Sequence, residues 1–124
     1  MASEKKLVDL SYLEQLSGGN AGYIAQVVSI FLEHTGADLV TLDLLAKKKK
    51  KNWEEIYRQA HKLKSGLGVV RIEGMLEDVI QIESLLRAED RSEIPELTTR
   101  LLQTFQAAEP ELRAFVQNAG GETG

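Results

Sequence analysis

The sequence predicts an all-α protein, an antiparallel up-down-up-down four-helix bundle with a short N-terminal helix capping one end. Three observations carry that expectation. Apolar residues recur three and four apart over four long segments, the mark of helices with one buried stripe, and no segment shows the alternating apolar pattern of a strand. The connections between the segments are short, which favours antiparallel neighbours. A chain of 124 residues with 43% hydrophobic content suits one domain with a real core. The bundle is expected over residues 9–118, with residues 1–8 as a flexible N-terminus and 119–124 as a flexible tail.

The elements follow in order. Asp9 or Ser11 can cap the first short helix, Ser11 and Glu14 have capping-box spacing, and Gly18-Gly19 supplies its end. Asn20 is the next cap candidate, and Ile24, Val28, Phe31, Leu39, Leu42 and Leu45 follow at helical spacing with a polar step at Thr35. Gly36 is expected to bend this helix, since glycine costs about 1 kcal/mol against alanine in a helix interior. Lys47 to Lys51 interrupts the pattern, and Asn52 with Glu55 signals a third helix. Beyond Val70, Arg71, Glu73 and Gly74 mark a change of direction before Ile72, Met75, Val79, Ile82 and Leu86 resume the stripe. Ala88 to Ser92 forms the next loop, and Ser92 and Pro95 suit a helix start. Leu97, Leu101, Phe105, Ala108, Leu112 and Phe115 make the last stripe, which Pro110 is expected to kink or break.

Composition narrows the function classes. Fifteen basic against nineteen acidic residues, a net charge of -4, give no reason to expect nucleic acid. The absence of cysteine excludes disulfides, thiol catalysis and Cys-based zinc sites and fits a reducing compartment. No run approaches the roughly 20 apolar residues of a membrane span, and Met1 to Lys6 leads into nothing like a signal peptide. These features point to a cytoplasmic protein without a membrane partner. Neither His34 nor His61 has a glutamate three residues before it, so a bundle di-iron site is disfavoured, and Ser17-Gly18-Gly19 and Ser65-Gly66-Leu67-Gly68 lack phosphate-loop spacing.

The chemistry concentrates in Ala60-His61-Lys62-Leu63-Lys64-Ser65-Gly66. Trp53, Ile56, Ala60, Leu63, Leu67 and Val70 form the buried stripe there, while Tyr57, His61, Lys64, Ser65 and Gly68 form a second strip beside it. Small residues after the histidine leave its surface open to another protein. An imidazole titrates near neutral pH, so a ring nitrogen with a free lone pair is available to attack an electrophile. If that electrophile is a phosphoryl group, transfer rests on positioning and charge neutralisation, and the ammonium of Lys64 on the same face can supply part of the latter. Lys62 points about 100° away around the helix and takes a peripheral role. Tyr57 and Arg58 either border a docking surface or, for Tyr57, pack on a neighbouring helix. His34 reads as an incidental surface residue, and Lys47 to Lys51 as a solvated loop that could also attract an acidic partner.

Ala60-His61-Lys62-Leu63-Lys64, with Trp53 upstream, Asp9-Leu10-Ser11-Tyr12-Leu13 and Gly18-Gly19-Asn20 near the start, and Ile82-Glu83 on the next helix, resembles a histidine-containing phosphotransfer (HPt) domain of two-component phosphorelays. The likeness runs from Asp9 through the last helix. It implies that His61 accepts a phosphoryl group from a receiver-domain aspartate of a response regulator or hybrid kinase and passes it to another. It also implies that Lys64 steadies that group, and that Tyr57, Arg58, Lys62, Ser65 and Gly68 contact the partner. The chain would be a monomeric phosphocarrier, no enzyme and without a cofactor or metal of its own, the magnesium ion belonging to the receiver. Ser65 and Arg71 stand where many members have glycine, which bears on the docking surface and on how the third helix ends. The rival expectation is a helical adaptor that binds a receiver or another signalling partner without phosphotransfer.

Overall fold

The computed structural model describes residues 7–123, with side chains to Ala119. Met1 to Lys6 and Gly124, parts of the expected flexible ends, lie outside the described residues. The elements are β1 (Val8–Asp9), α1 (Ser11–Ser17), α2 (Ala21–Lys47), α3 (Trp53–Val69), β2 (Arg71–Ile72), α4 (Met75–Arg87) and α5 (Ile94–Thr123).

Start signals written in the sequence set most of the helix boundaries. The Asn20 side chain accepts the Tyr23 backbone N–H and opens α2, and the Asn52 side chain does the same for Glu55 at the start of α3. The Ser11–Glu14 capping box does not form, because Ser11 is already helical and Leu10 occupies the cap position without a side-chain bond. Asp9 serves the first turn instead, its carboxylate accepting from the Ser11 backbone N–H and hydroxyl. Gly18 closes α1 at φ 66°, and the Gly19 N–H returns to the Glu14 carbonyl at 2.9 Å. That left-handed turn is one that residues with a Cβ resist.

Contacts between named residues fix the topology. Asp38 on α2 meets Lys62 on α3, Glu83 on α4 meets Lys64 on α3, and Asp78 on α4 meets Arg100 on α5. Lys47, at the C-terminal end of α2, reaches Thr99 near the start of α5, which closes the ring. Each helix therefore runs antiparallel to its two neighbours, and Ile24, Val28, Leu39, Leu42, Ile56, Leu63, Leu67, Met75, Val79, Ile82, Leu101 and Leu112 fill the centre. Burying each such side chain is worth about 1.5–3 kcal/mol, which makes this core the main support of the fold.

Three features depart from the sequence reading. A two-residue antiparallel pair, Val8 with Ile72 and Asp9 with Arg71, ties the N-terminal segment to the α3–α4 turn. It is too short to show alternation, and Leu7, whose N–H reaches the Glu111 carboxylate, already belongs to the packed fold. The α5 helix runs unbroken through Pro110. The backbone bond that this proline cannot make would go to Gln106, and both residues are exposed, so solvent can serve the freed carbonyl. The helix also continues to Thr123, past Asn118 where the bundle was expected to end, and Ala119 is buried. Within α2, which is one helix through Gly36, an added Cβ there would stand 3.3 Å from the Phe105 ring. That glycine permits the close approach of α5.

Candidate functional site

The His61 side chain is 62% exposed and projects from the middle of α3, while its neighbours in sequence, Ala60 and Leu63, are buried. The apolar stripe clamps the helix and leaves the imidazole at the surface. Its orientation comes from α4. The Glu83 carboxylate is 2% exposed, and its Oε2 lies 2.8 Å from His61 Nδ1 while its Oε1 accepts from Lys64 Nζ at 2.9 Å. Burial pushes this carboxyl's pKa upward, but the hydrogen bonds from Lys64 and His61 outweigh it and hold the group below its ordinary value. An ionised carboxylate only accepts, so Nδ1 must carry the ring hydrogen. In the neutral ring the lone pair is thereby left on Nε2, across the ring from the Glu83 contact on a side chain that is largely exposed.

Tyr57, one turn earlier, lies nearly parallel to the imidazole, with ring centroids 5.9 Å apart and an interplanar angle of 17°. It also packs on the core, the second of the two roles considered for it in the sequence. The ring of His61 is thus held by Glu83 at one nitrogen and by an aromatic face on one side.

The remaining candidates fall around this centre. Ser65 is exposed, and a Cβ added to Gly68 would meet nothing within 4 Å, so the strip beyond the histidine is open. Lys62 is exposed and paired with Asp38 at 3.3 Å, and Arg58 is exposed and paired with Glu55. Lys64 shares the histidine's face, and its ammonium is bonded to Glu83, a partner the sequence did not reveal. Beside the strip, Val27, Ile30, Phe31 and His34 of α2 and Lys62, Ser65 and Val69 of α3 line an open groove. Its width is set where Gly66 passes Thr35 and Phe31, with an added Cβ 3.4 Å from the threonine hydroxyl. Arg71, at a position where many relatives of the resembled family carry glycine, bonds the Gly68 carbonyl and lies over the Tyr12 ring, so α3 ends in the β1–β2 pair.

Glu83 was quoted in the sequence only as half of an apolar-acidic pair, and its part in orienting His61 was missed. A signal for it exists: Glu83 stands four residues after Val79 and three before Leu86, an acid at a stripe position. Among the described residues no group of three or more His, Asp or Glu side chains converges to hold a metal ion, and no helix is long and apolar enough to cross a membrane.

A ring of antiparallel helices that displays one braced histidine defines a phosphotransfer-type helical bundle. The family model of the Hpt domain matches residues 26–118, well over half of the chain, and the protein belongs to that family. No curated protein and no solved structure matches the chain. Hpt domains are phosphocarrier modules of two-component phosphorelays and work with the receiver domains of response regulators, so the chain is a histidine phosphotransfer module.

Proposed function

We propose that His61 is the phosphoacceptor, taking a phosphoryl group from a receiver aspartate and delivering it to another. The supporting observation is the pairing of an outward Nε2 with an Nδ1–H anchored on buried Glu83. In the forward step the Nε2 lone pair attacks phosphorus, the P–N bond forms, and the acyl P–O bond breaks with its electrons leaving on the aspartate carboxylate. The hydrogen on Nδ1 stays with the ring and its bond to Glu83. Delivery is the reverse, with the imidazole as leaving group. The carrier supplies position and charge, and a magnesium ion, held by carboxylates of the receiver, would supply neutralisation of the transferring oxygens.

Lys64 is the cation nearest in role: held by Glu83 at rest, it lies on the same helix face as the acceptor and offsets the charge of the incoming group. The partner surface comprises Tyr57, Arg58, Lys62, Ser65 and Gly68, extended by the α2–α3 groove that the sequence did not reveal. The protein functions as a monomeric relay protein of the cytoplasm.

The test uses a purified receiver domain charged with acetyl phosphate. Wild-type chain takes up acid-labile, base-stable phosphate, and His61→Gln takes up none while keeping its helical circular dichroism, because the side chain is exposed and fills no core space. Labelling of the variant would overturn the assignment, and receiver binding without labelling of the wild type would establish the adaptor reading in its place.

A further inference from the structure

We propose that Lys48, Lys49 and Lys50 form a charged rim of the His61 docking surface and steer a partner with an acidic face onto the imidazole. The proposal rests on the phosphocarrier reading above and names the electrostatics of its encounter step.

The charge bookkeeping singles out this loop. Around the acceptor every nearby cation is already matched: Arg58 with Glu55, Lys62 with Asp38, Lys64 with Glu83. In the five-lysine run, Lys47 is fixed on Asp43, the Pro95 carbonyl and Thr99, and Lys51 folds back on the Lys48 carbonyl. The ammonium groups of Lys48, Lys49 and Lys50 have no hydrogen bond or ion pair among the described residues, and all three residues are exposed. A chain of net charge -4 thus carries three unmatched positive charges in succession at one place.

That place is within reach of a partner seated on His61. The loop joins α3 at Asn52, nine residues before the histidine, a separation of roughly 13 Å along the helix. A protein–protein interface of ordinary size covers about 800 Å² per partner, a disc of roughly 16 Å radius, so a partner centred on the imidazole reaches the end of α3 where the loop begins. The lysines stand at its rim, a distance over which unscreened charges still act. Side chains on a helix tilt toward its N-terminus, which leans His61 in the same direction. A partner that transfers phosphate from a carboxylate with the help of a divalent cation must carry further carboxylates to hold that cation, so its docking face is acidic. Rim charges of this kind act on the association rate and its salt dependence more than on the bound complex. A nucleic acid or anionic lipid surface fits less well, because Glu89, Asp90 and Glu93 lie in the connection whose Arg91 stacks on Trp53 at the same end of the bundle, interrupting any continuous basic face.

The experiment follows transfer from a receiver domain, charged with acetyl phosphate, to the full chain and to the triple variant Lys48→Gln, Lys49→Gln, Lys50→Gln. Rates are measured under second-order conditions from about 10 mM to 0.5 M salt, where the screening length shrinks from about 30 Å to a few ångströms. The expected result is a variant roughly five- to tenfold slower at low salt and equal to wild type at high salt, a size in keeping with steering effects on association. The final extent of His61 labelling should be the same in both. Arg113→Gln, a charge removed on α5, should leave the salt profile unchanged. Parallel salt profiles for wild type and triple variant overturn the proposal and leave the acceptor assignment standing. So does an unchanged transfer rate accompanied by loss of retention on heparin or on phosphatidylglycerol vesicles, which would give the loop to a polyanion. No labelling of His61 in the wild type removes the phosphocarrier reading, and the steering proposal falls with it.

Discussion

Glu83 on α4 and Asp43 on α2 are wired alike: each collects a lysine and further donors, Glu83 from the neighbouring α3 and Asp43 from its own helix and from α5. Glu83 binds Lys64 and His61, and Asp43 binds Lys47, Thr98 and Thr99. Burial pushes both carboxyls upward and the hydrogen bonds outweigh it, so both titrate below their ordinary values. The difference lies at the outer end. Lys47 and the two threonine hydroxyls use their donors on Asp43 and Pro95 and leave nothing reactive over, whereas His61 spends one nitrogen on Glu83 and turns the other to solvent. The Asp43 cluster fastens α2 to α5. The Glu83 cluster fastens α3 to α4 and holds the imidazole with its other nitrogen free of that carboxylate, the atom proposed as the nucleophile. A buried carboxylate becomes part of a functional site when one of its partners retains a free reactive atom.

Matched substitutions test that contrast. The largest effect is expected from Glu83→Gln, which removes the charge that places hydrogen on Nδ1 and should slow phosphoryl transfer about tenfold to a hundredfold, a cost typical of losing the carboxylate behind a working histidine. Histidine nitrogen chemical shifts would report the accompanying change of tautomer. Lys64→Ala should reduce transfer severalfold or shorten the phosphohistidine lifetime, read from the decay of acid-labile phosphate. An unchanged rate and lifetime would remove the lysine from the mechanism. Asp43→Asn should leave transfer untouched and lower stability by about 1 kcal/mol, since its side chain is partly exposed and the loss is screened, a shift of several degrees in Tm. If Asp43→Asn slowed transfer as much as Glu83→Gln, the distinction between fastening and function would be lost.

The smallest effect is in pH. Both carboxyls are lowered on folding, so the stability they contribute is present in full above their ordinary values of 4.5 and 3.8 and is lost as pH falls through the lower folded values. Urea midpoints should therefore fall on acidification below about pH 4.5, and each substitution should flatten its share of that slope. A slope identical in wild type and both variants would show that other groups carry the acid sensitivity.

Much of this architecture is legible in residue order. Asn20 and Asn52 announce α2 and α3 because an asparagine cap acts on a backbone N–H three residues away, and the apolar spacings within each helix identify nearly all the buried positions. His61 and Lys64 share a face for the same local reason. Pro110 does not break α5, because the cost of an internal proline depends on whether the orphaned carbonyl meets solvent, and exposure is settled by where the helix packs. The place Gly36 makes for the Phe105 ring was not legible, because that ring stands sixty-nine residues away in the chain. The Val8–Ile72 pairing was invisible because two residues carry no periodicity.

The sequence alone determined the helices, the stripe each one buries and the strip that carries His61, since these depend on interactions across three or four residues. Only the tertiary structure decided which nitrogen of the imidazole faces out, that Lys64 is engaged at rest, and that α2 supplies half of the adjoining groove. Those properties depend on Glu83, nineteen and twenty-two residues from its two partners, and on helices brought together by the core. A side chain's local face follows from helix geometry, but its hydrogen-bond partners follow from packing.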